Sequence, residues 1–186
     1  MHQKIDTAII LAGGDKKLSN PTCLKTVNGV NILDSIIKSL ISANITNIII
    51  STHYHFDLID EFIANYSGSS DLNIYTIREQ QLLGSGGAIK NIFLSTNLTS
   101  ALIIESHLYD EFDYQKILYD FQNQICENVI IQSLSTPDLF SGRYILNSEI
   151  FNYTHLTKFS FEKELLPIVR ADDIETISTR GFLKKV

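Results

Sequence analysis

Apolar runs and amphipathic stripes alternate along the chain. Thr7–Ala12 (TAIILA) is a short apolar run closed by glycines, the pattern of a buried strand. From Asn31 to Ile45 apolar residues recur at Ile32, Leu33, Ile36, Ile37, Leu40 and Ile41, which predicts a helix. Asn47 to Thr52 reads as a second strand. Phe56 to Tyr66 reads as a second helix, with its stripe at Leu58, Ile59, Phe62 and Ile63. Leu72 to Ile77 is a third strand, and Gly84 to Ser95 is a Gly-rich turn entering a helix. Ser100 to Ser106, Asp113 to Gln124 and Asn128 to Leu134 continue as strand, helix, strand. "RYILNSEIF" and "SFEKELLPIV" supply a further strand and helix. This rhythm predicts an α/β fold whose mostly parallel sheet is covered on both faces. In such sheets ligands sit beyond the carboxyl ends of the strands, where strand order reverses. The loops "LAGG" and "LGSGGA" both follow predicted strands, so they should meet on that edge.

Composition narrows the class. A chain of 186 residues with 44% hydrophobic and 19% charged positions suffices for one domain, 1–186, with its own core. Fifteen basic residues against 21 acidic ones leave a net charge of −6, which argues against a broad nucleic-acid surface. Cys23 and Cys126 lack metal-site spacing and read as free thiols of a reducing compartment. The N-terminal apolar run is too short for a signal peptide or a membrane span. The expectation is a cytoplasmic protein with no nucleic-acid or membrane partner.

The glycines carry the first chemical hint. Gly13 and Gly14 remove side chains where the backbone turns, letting amides approach a phosphate or sugar, although a ligand-free tight turn uses the same pair. Gly84, Gly86 and Gly87 open a helix whose first amides form an anion or carbonyl site, or simply its entry.

Read in order, "AIILAGG", "LGSGGAIKN", "ALIIESHLYDEFD", "SGRYILNSEIF" and "FSFEKELLP" resemble the sugar-1-phosphate nucleotidyltransferases, the NDP-sugar pyrophosphorylases, and in particular mannose- or heptose-1-phosphate guanylyltransferases. The resemblance covers almost the whole chain. It implies a Rossmann-like three-layer sandwich with a mostly parallel mixed sheet. It also implies a reaction joining a nucleoside triphosphate to a sugar 1-phosphate with release of pyrophosphate, Mg²⁺ as cofactor if the protein is active and none otherwise, and a homo- or hetero-oligomer. By the resemblance, Leu11, Ala12, Gly13 and Gly14 contact the nucleotide, Glu79 with Gly84, Ser85, Gly86 and Gly87 line its base and ribose, and Gly142, Glu162 and Lys163 face the sugar phosphate. The Glu162–Lys163 pair would otherwise read as an exposed first helical turn. The setting implied is cell-surface polysaccharide assembly in a bacterium.

The chain departs from the family pattern at its charged positions. Only "DKKLSN" separates Gly14 from Pro21, so the family's Gly-x-Arg-Leu segment has no clean counterpart. Lys16 or Lys17 stands nearest the missing Arg, without its bidentate fork. The family's Pro-Lys falls on Pro21 and Thr22, leaving Lys25 as the next basic candidate. The metal-binding Asp after the fourth strand falls on Ser106, with Glu105, His107 and Asp110 nearby as candidate ligands. Phe140 replaces the Asn of the family's Asn-x-Gly. The second metal Asp falls in "GFLKKV", at Lys184, and the chain is C-terminally short relative to the family. Two functional readings follow: a nucleotidyltransferase of the GDP-mannose or GDP-heptose type that is weak or inactive, or a non-catalytic regulatory or scaffold subunit binding a nucleotide or NDP-sugar. A third is an eroded product that folds without function.

Overall fold

The computed structural model describes residues 4–14, 16–66, 71–122, 130–136, 139–178 and 183–186. The elements are β1 (Thr7–Ala12), β2 (Thr26–Val27), β3 (Val30–Asn31), α1 (Ile32–Ser42), β4 (Asn47–Thr52), α2 (Phe56–Ala64), β5 (Asn73–Arg78) and α3 (Gly84–Thr96). They continue with β6 (Ser100–Glu105), β7 (Leu108–Asp110), α4 (Tyr114–Gln122), β8 (Ile130–Thr136), β9 (Leu139–Asn147), β10 (Ile174–Ser178) and β11 (Leu183–Lys185). A seven-stranded sheet runs in the order β10-β8-β9-β6-β1-β4-β5. Every pairing in it is parallel except the two made by β9, with β6 and with β8. The fold is therefore a mixed, mostly parallel α/β sandwich.

Alternate residues of each central strand feed two cores, as the period of a strand requires. Ala8, Ile10, Ile48, Ile50, Leu102 and Ile104 pack with α1, α2 and α4 on one face. Ile9, Ile49, Ala101, Ile103, Tyr144 and Leu146 pack under α3 and the segment from Ile150 to Val169 on the other. Strands with both faces covered become near-continuous apolar runs, which is why β1, β4 and β6 were readable directly from sequence.

Local chemistry sets several boundaries. Asn31 caps α1 by accepting from the Asp34 amide at 3.0 Å, and its side-chain amide donates to Leu24 O at 2.8 Å. Asn28 and Gly29 both have positive φ, 52° and 80°, and turn β2 into β3 as a tight two-residue hairpin. The helix expected over "SFEKELLPIV" is instead a π-turn at Phe161–Leu165 followed by a 3-10 turn at Leu166–Ile168. The cause is local. Ser160 O accepts from both the Glu164 and Leu165 amides, at 3.1 and 3.3 Å, which widens the turn, and Pro167 has no N–H to continue it. Asn128, Cys126 and the end of the helix expected to Gln124 lie outside the described residues.

The strand connections fix where a ligand cleft opens. From β1 the chain crosses to β4 on one side, and β6 lies on the other. The carboxyl ends of β1 and β6, paired at Leu11 and Glu105, therefore flank the switch point.

Shortening Ile103, fully buried beneath α3, to Ala should cost about 2–5 kcal/mol in urea unfolding. Leu94→Ala, at a residue 70% exposed, should stay within about 0.5 kcal/mol of the parent.

Candidate functional site

A cavity of about 190 Å³ opens at that switch point. The first glycine loop contributes Leu11, Gly13 and Gly14, and the start of α3 contributes Gly84 and Ser85. Ser51 and Glu79 form one wall, Glu105 and His107 the opposite end, and Leu82 and Ala88 complete the lining. The fold thus brings the two Gly-rich loops onto one cavity. Gly14 has φ +71°, a conformation that favours glycine. A Cβ at Gly13 would meet only Glu79 Oε1, at an ordinary 3.6 Å, so packing does not demand glycine there. Its bare backbone faces the carboxylate that lines the cavity.

The second loop is used differently from its sequence expectation. The Gly86 and Gly87 amides donate to Phe159 O at 3.1 and 3.2 Å, and the Phe159 amide donates to Leu83 O at 2.9 Å. A Cβ on Gly86 would lie 2.1 Å from the Phe159 ring, and one on Gly87 2.5 Å from Thr157 O. These two glycines let the 157–160 segment lie on the start of α3, and their amides already hold a carbonyl. Lys90, one helical turn on, donates to Thr154 O and Leu156 O at 2.9 and 3.2 Å and ties down the same segment. Of this loop Gly84, Ser85 and Ala88 line the cavity, while Gly86 and Gly87 do not.

Glu79 is 5% exposed and accepts from Ser51 Oγ and from the Leu83 amide, each at 2.9 Å. It joins β4 to the entry of α3 while presenting its carboxylate to the cavity. Ala12, buried at the end of β1, belongs to the core beneath the loop.

At the far end two acids meet. Glu162 accepts from Ser85 Oγ at 3.0 Å, from Ser160 Oγ at 3.2 Å and from Tyr144 OH at 3.3 Å. Its carboxyl also lies close enough to that of Glu105 for each to act on the other's ionisation. Carboxylates only accept, so this contact needs one proton shared by the pair. Burial first, then the Glu162 hydrogen bond and charge, push Glu105 up to about 8, against Arg143 and Lys185. Burial also acts to raise Glu162, but hydrogen bonds from Glu105, from its own backbone amide, and from Ser85 and Ser160 outweigh it and hold Glu162 below the usual carboxylate range. The opposed shifts favour a protonated Glu105 beside an ionised Glu162. His107 Nε2 lies 3.5 Å from Glu105 Oε2, and burial, with the Lys185 and Arg143 charges, lowers its pKa and favours neutral imidazole. Gly142, with φ +64°, sits against Glu105: a Cβ there would come within 3.0 Å of Glu105 Cβ and Oε2.

The remaining sequence candidates are distributed as follows. Ser106 is buried, and its hydroxyl donates to Leu11 O at 2.7 Å, pinning β6 to β1. Asp110 accepts from the fully buried Arg143 Nε at 2.8 Å and also from its Nη2, while Tyr114 OH donates to it at 2.9 Å. Arg143 further donates to the carbonyls of Glu105, Leu108 and Gly142. Lys25 lines a separate groove of about 810 Å³ with Asp34, Lys38 and Tyr66. Lys17 is exposed just past the first glycine loop, and Lys163 is exposed on the π-turn. Lys184 and Lys185 lie on β11, which pairs with β7 and brings the Lys185 charge to bear on Glu105 and His107.

A hard divalent cation needs several ionised oxygen ligands. Among the described residues no three His, Cys, Asp or Glu side chains converge. Asp110 is bound to Arg143, and Ser106 is turned to the backbone. The described residues do not fit an Mg²⁺ site.

Ser51, Arg143, Tyr144 and Ser160 were not among the sequence candidates. An arginine inside the apolar run of β9 was the available signal for the buried ion pair, since a charge on such a strand needs a partner. The hydroxyl partners of Glu162 carry no sequence signature.

No family model matches the chain. A relative in Sulfolobus acidocaldarius is 28% identical over 97% of the chain. The D-glycero-alpha-D-manno-heptose 1-phosphate guanylyltransferase of Aneurinibacillus thermoaerophilus is 29% identical over 86% of the chain and 83% of its own length. The mannose-1-phosphate guanyltransferase of Saccharomyces cerevisiae is 23% identical over 78% of the chain. The chain spans about half the length of the first and last of these, 54% and 50%. Among solved structures, HddC from Yersinia pseudotuberculosis, complexed with GMP-PN, superposes with a TM-score of 0.79 at 24% identity, covering 97% of this chain and 93% of that one. UDP-glucose pyrophosphorylase complexed with UDP-glucose superposes with a TM-score of 0.72 at 12% identity, covering 96% and 92%. No helix among the described residues is long and apolar enough to cross a membrane.

Two measurements check this site. Asp110→Ala leaves Arg143 buried without its counter-ion and should cost about 3–5 kcal/mol in urea unfolding. Glu105 binds its proton more tightly folded than unfolded, so its stabilising contribution is full below about pH 4.5 and is lost as pH rises to about 8. Glu105→Gln should remove that decline from the stability–pH curve measured across the same window.

Proposed function

We propose, for a chain that stands with the sugar-1-phosphate nucleotidyltransferases by sequence and fold, that it binds a nucleotide in the cavity between its two Gly-rich loops and transfers nucleotidyl groups slowly or not at all. The reaction of the class is attack by a sugar-phosphate oxygen on the α-phosphorus of a nucleoside triphosphate, with pyrophosphate leaving. Its catalysis is positioning and charge neutralisation. The observation that carries the reading is the commitment of Ser106 and Asp110 to structure, one on the Leu11 carbonyl and the other on Arg143, at the strand end beside the cavity. Losing a charge-stabilising group of this kind costs roughly 3 kcal/mol or more, on the order of 10²–10³ in rate. The losses are not additive, because such groups act as a unit.

The names of the relatives support a guanine nucleotide and a mannose- or heptose-type sugar as the ligand class. A second reading, a non-catalytic nucleotide- or NDP-sugar-binding subunit, is favoured by the Gly86 and Gly87 amides, which already hold a carbonyl in place of an anion. A single domain over 1–186, working in a bacterial cytoplasm on polysaccharide precursors and associating with itself or another chain, belongs to the same proposal.

Purified protein mixed with Mg²⁺, each nucleoside triphosphate and mannose or heptose 1-phosphate should release pyrophosphate at least about a hundredfold more slowly than the median enzyme turnover of roughly 10 s⁻¹. Turnover in the ordinary range contradicts the proposal. Guanine nucleotides should raise the melting temperature, since a ligand of the native state stabilises it.

A further inference from the structure

Without a fit for Mg²⁺, the cavity poses a charge question. Among the described residues its lining holds two acids, Glu79 and Glu105, and no lysine or arginine. A phosphate arriving there needs a cation that reaches in from beyond the lining. The register of β11 supplies one. β11 pairs antiparallel with β7, with Lys185 opposite Leu108 and Lys184 opposite Tyr109, and the Val186 amide donates to His107 O at 3.0 Å. Directly opposite residues of an antiparallel pair share a face, and successive residues alternate. Lys185 is therefore on the face of Leu108, and Lys184 on that of Tyr109. The two faces lead to different places. Tyr109 joins the core beneath α1 and α4. Leu108 is directed at Gly142, where a Cβ would lie 2.5 Å from Leu108 Cδ1 and 3.0 Å from Glu105 Cβ. Leu108 and Glu105 thus converge on one spot, and β11 delivers Lys185 beside it. The Lys185 charge acts on both residues that line this end of the cavity, Glu105 and His107. The His107 side chain is 43% exposed, so this end faces solvent. The other charged groups here are Arg143, bound to Asp110, and Glu162. Lys185 itself is exposed, and among the described residues its ammonium forms no ion pair.

We propose that Lys185, presented by β11, is the cation that binds the phosphates of a nucleotide at the His107 end of the cavity, and that this chain holds a nucleotide without a divalent metal ion. The proposal rests on the nucleotide-binding reading above. An ammonium is a compact charge on a flexible stem, and it meets a phosphate without the several ionised oxygens that a hard cation requires. The cavity need not enclose the whole ligand, because the phosphates lie at its solvent-facing end. The assignment is specific to one face of β11: Lys184, one residue earlier, is on the other.

The test is isothermal titration of the full chain with GDP and with guanosine, in EDTA and in Mg²⁺, read as the ratio of the two dissociation constants. In EDTA the wild type should prefer GDP to guanosine by about tenfold or more, the worth of a charge-assisted contact to phosphate. Mg²⁺ should leave that preference within about threefold of its value in EDTA. Lys185→Ala should lower the preference by about tenfold by weakening GDP while guanosine binding holds. Lys185→Arg keeps the charge and should keep the preference, and Lys184→Ala, on the other face, should match the wild type. An unchanged preference in Lys185→Ala overturns this proposal alone, as does an equal loss in Lys184→Ala or a preference for GDP that appears only with Mg²⁺. Guanosine binding as tight as GDP in the wild type overturns it too. Binding of neither by the wild type overturns the nucleotide reading and this proposal with it.

Discussion

The site depends on a buried guanidinium. Arg143 sits on the only strand that runs against the rest of the described seven-stranded sheet, and it is removed from solvent. Burying a cation is tolerable only when it is paired and its donors are filled. Here Asp110 supplies the charge, Tyr114 joins the network, and the carbonyls of Glu105, Leu108 and Gly142 take remaining donors. Those carbonyls belong to the end of β6, the start of β7 and β9 itself. One ion pair thereby fixes the segment carrying Glu105, Ser106 and His107 against the strand carrying Gly142 and Tyr144. The same demand removes Asp110 from chemistry at the cavity.

The other half of the site is built by close backbone approach. Glycines at the start of α3 admit the 157–160 segment, whose Phe159 carbonyl takes their amides, and Ser85 accepts from the Phe161 amide while donating to Glu162. Glu162 is positioned by this docking rather than by a regular helix. A one-methyl change at Gly86 would collide with the Phe159 ring and shift the segment that carries the acid. Shape at one end of the cavity and charge at the other are thus set by packing events remote from any ligand.

Much of this was legible in the residue pattern, and the failures have physical causes. β1, β4 and the start of α3 announce themselves because strands buried on both faces are continuously apolar and because glycine clusters mark turns. The meeting of the two Gly-rich loops followed from the position of the strand switch. The 160–168 region did not, because helical spacing says nothing about a shared carbonyl at Ser160 or the missing amide of Pro167. Nor did the Glu105–Glu162 contact, made between residues 57 positions apart in the chain (162 − 105) and brought together only by β9 and the docked segment. The resemblance identified Ser106 as a departure. Its hydrogen bond to Leu11 adds the physical content, a hydroxyl used to join two strands.

The central claim is that a nucleotide occupies the cavity between the two glycine loops. Selective ¹⁵N-glycine labelling reads it directly, because the chain has only nine glycines and the described ones occupy distinct environments. On titration with GDP, the amide signals of Gly13, Gly14 and Gly84 should move together and saturate, while Gly29, in the β2–β3 turn with nothing near it, stays still. Saturable shifts confined to Gly29, or no saturable shift at any glycine, would contradict the account.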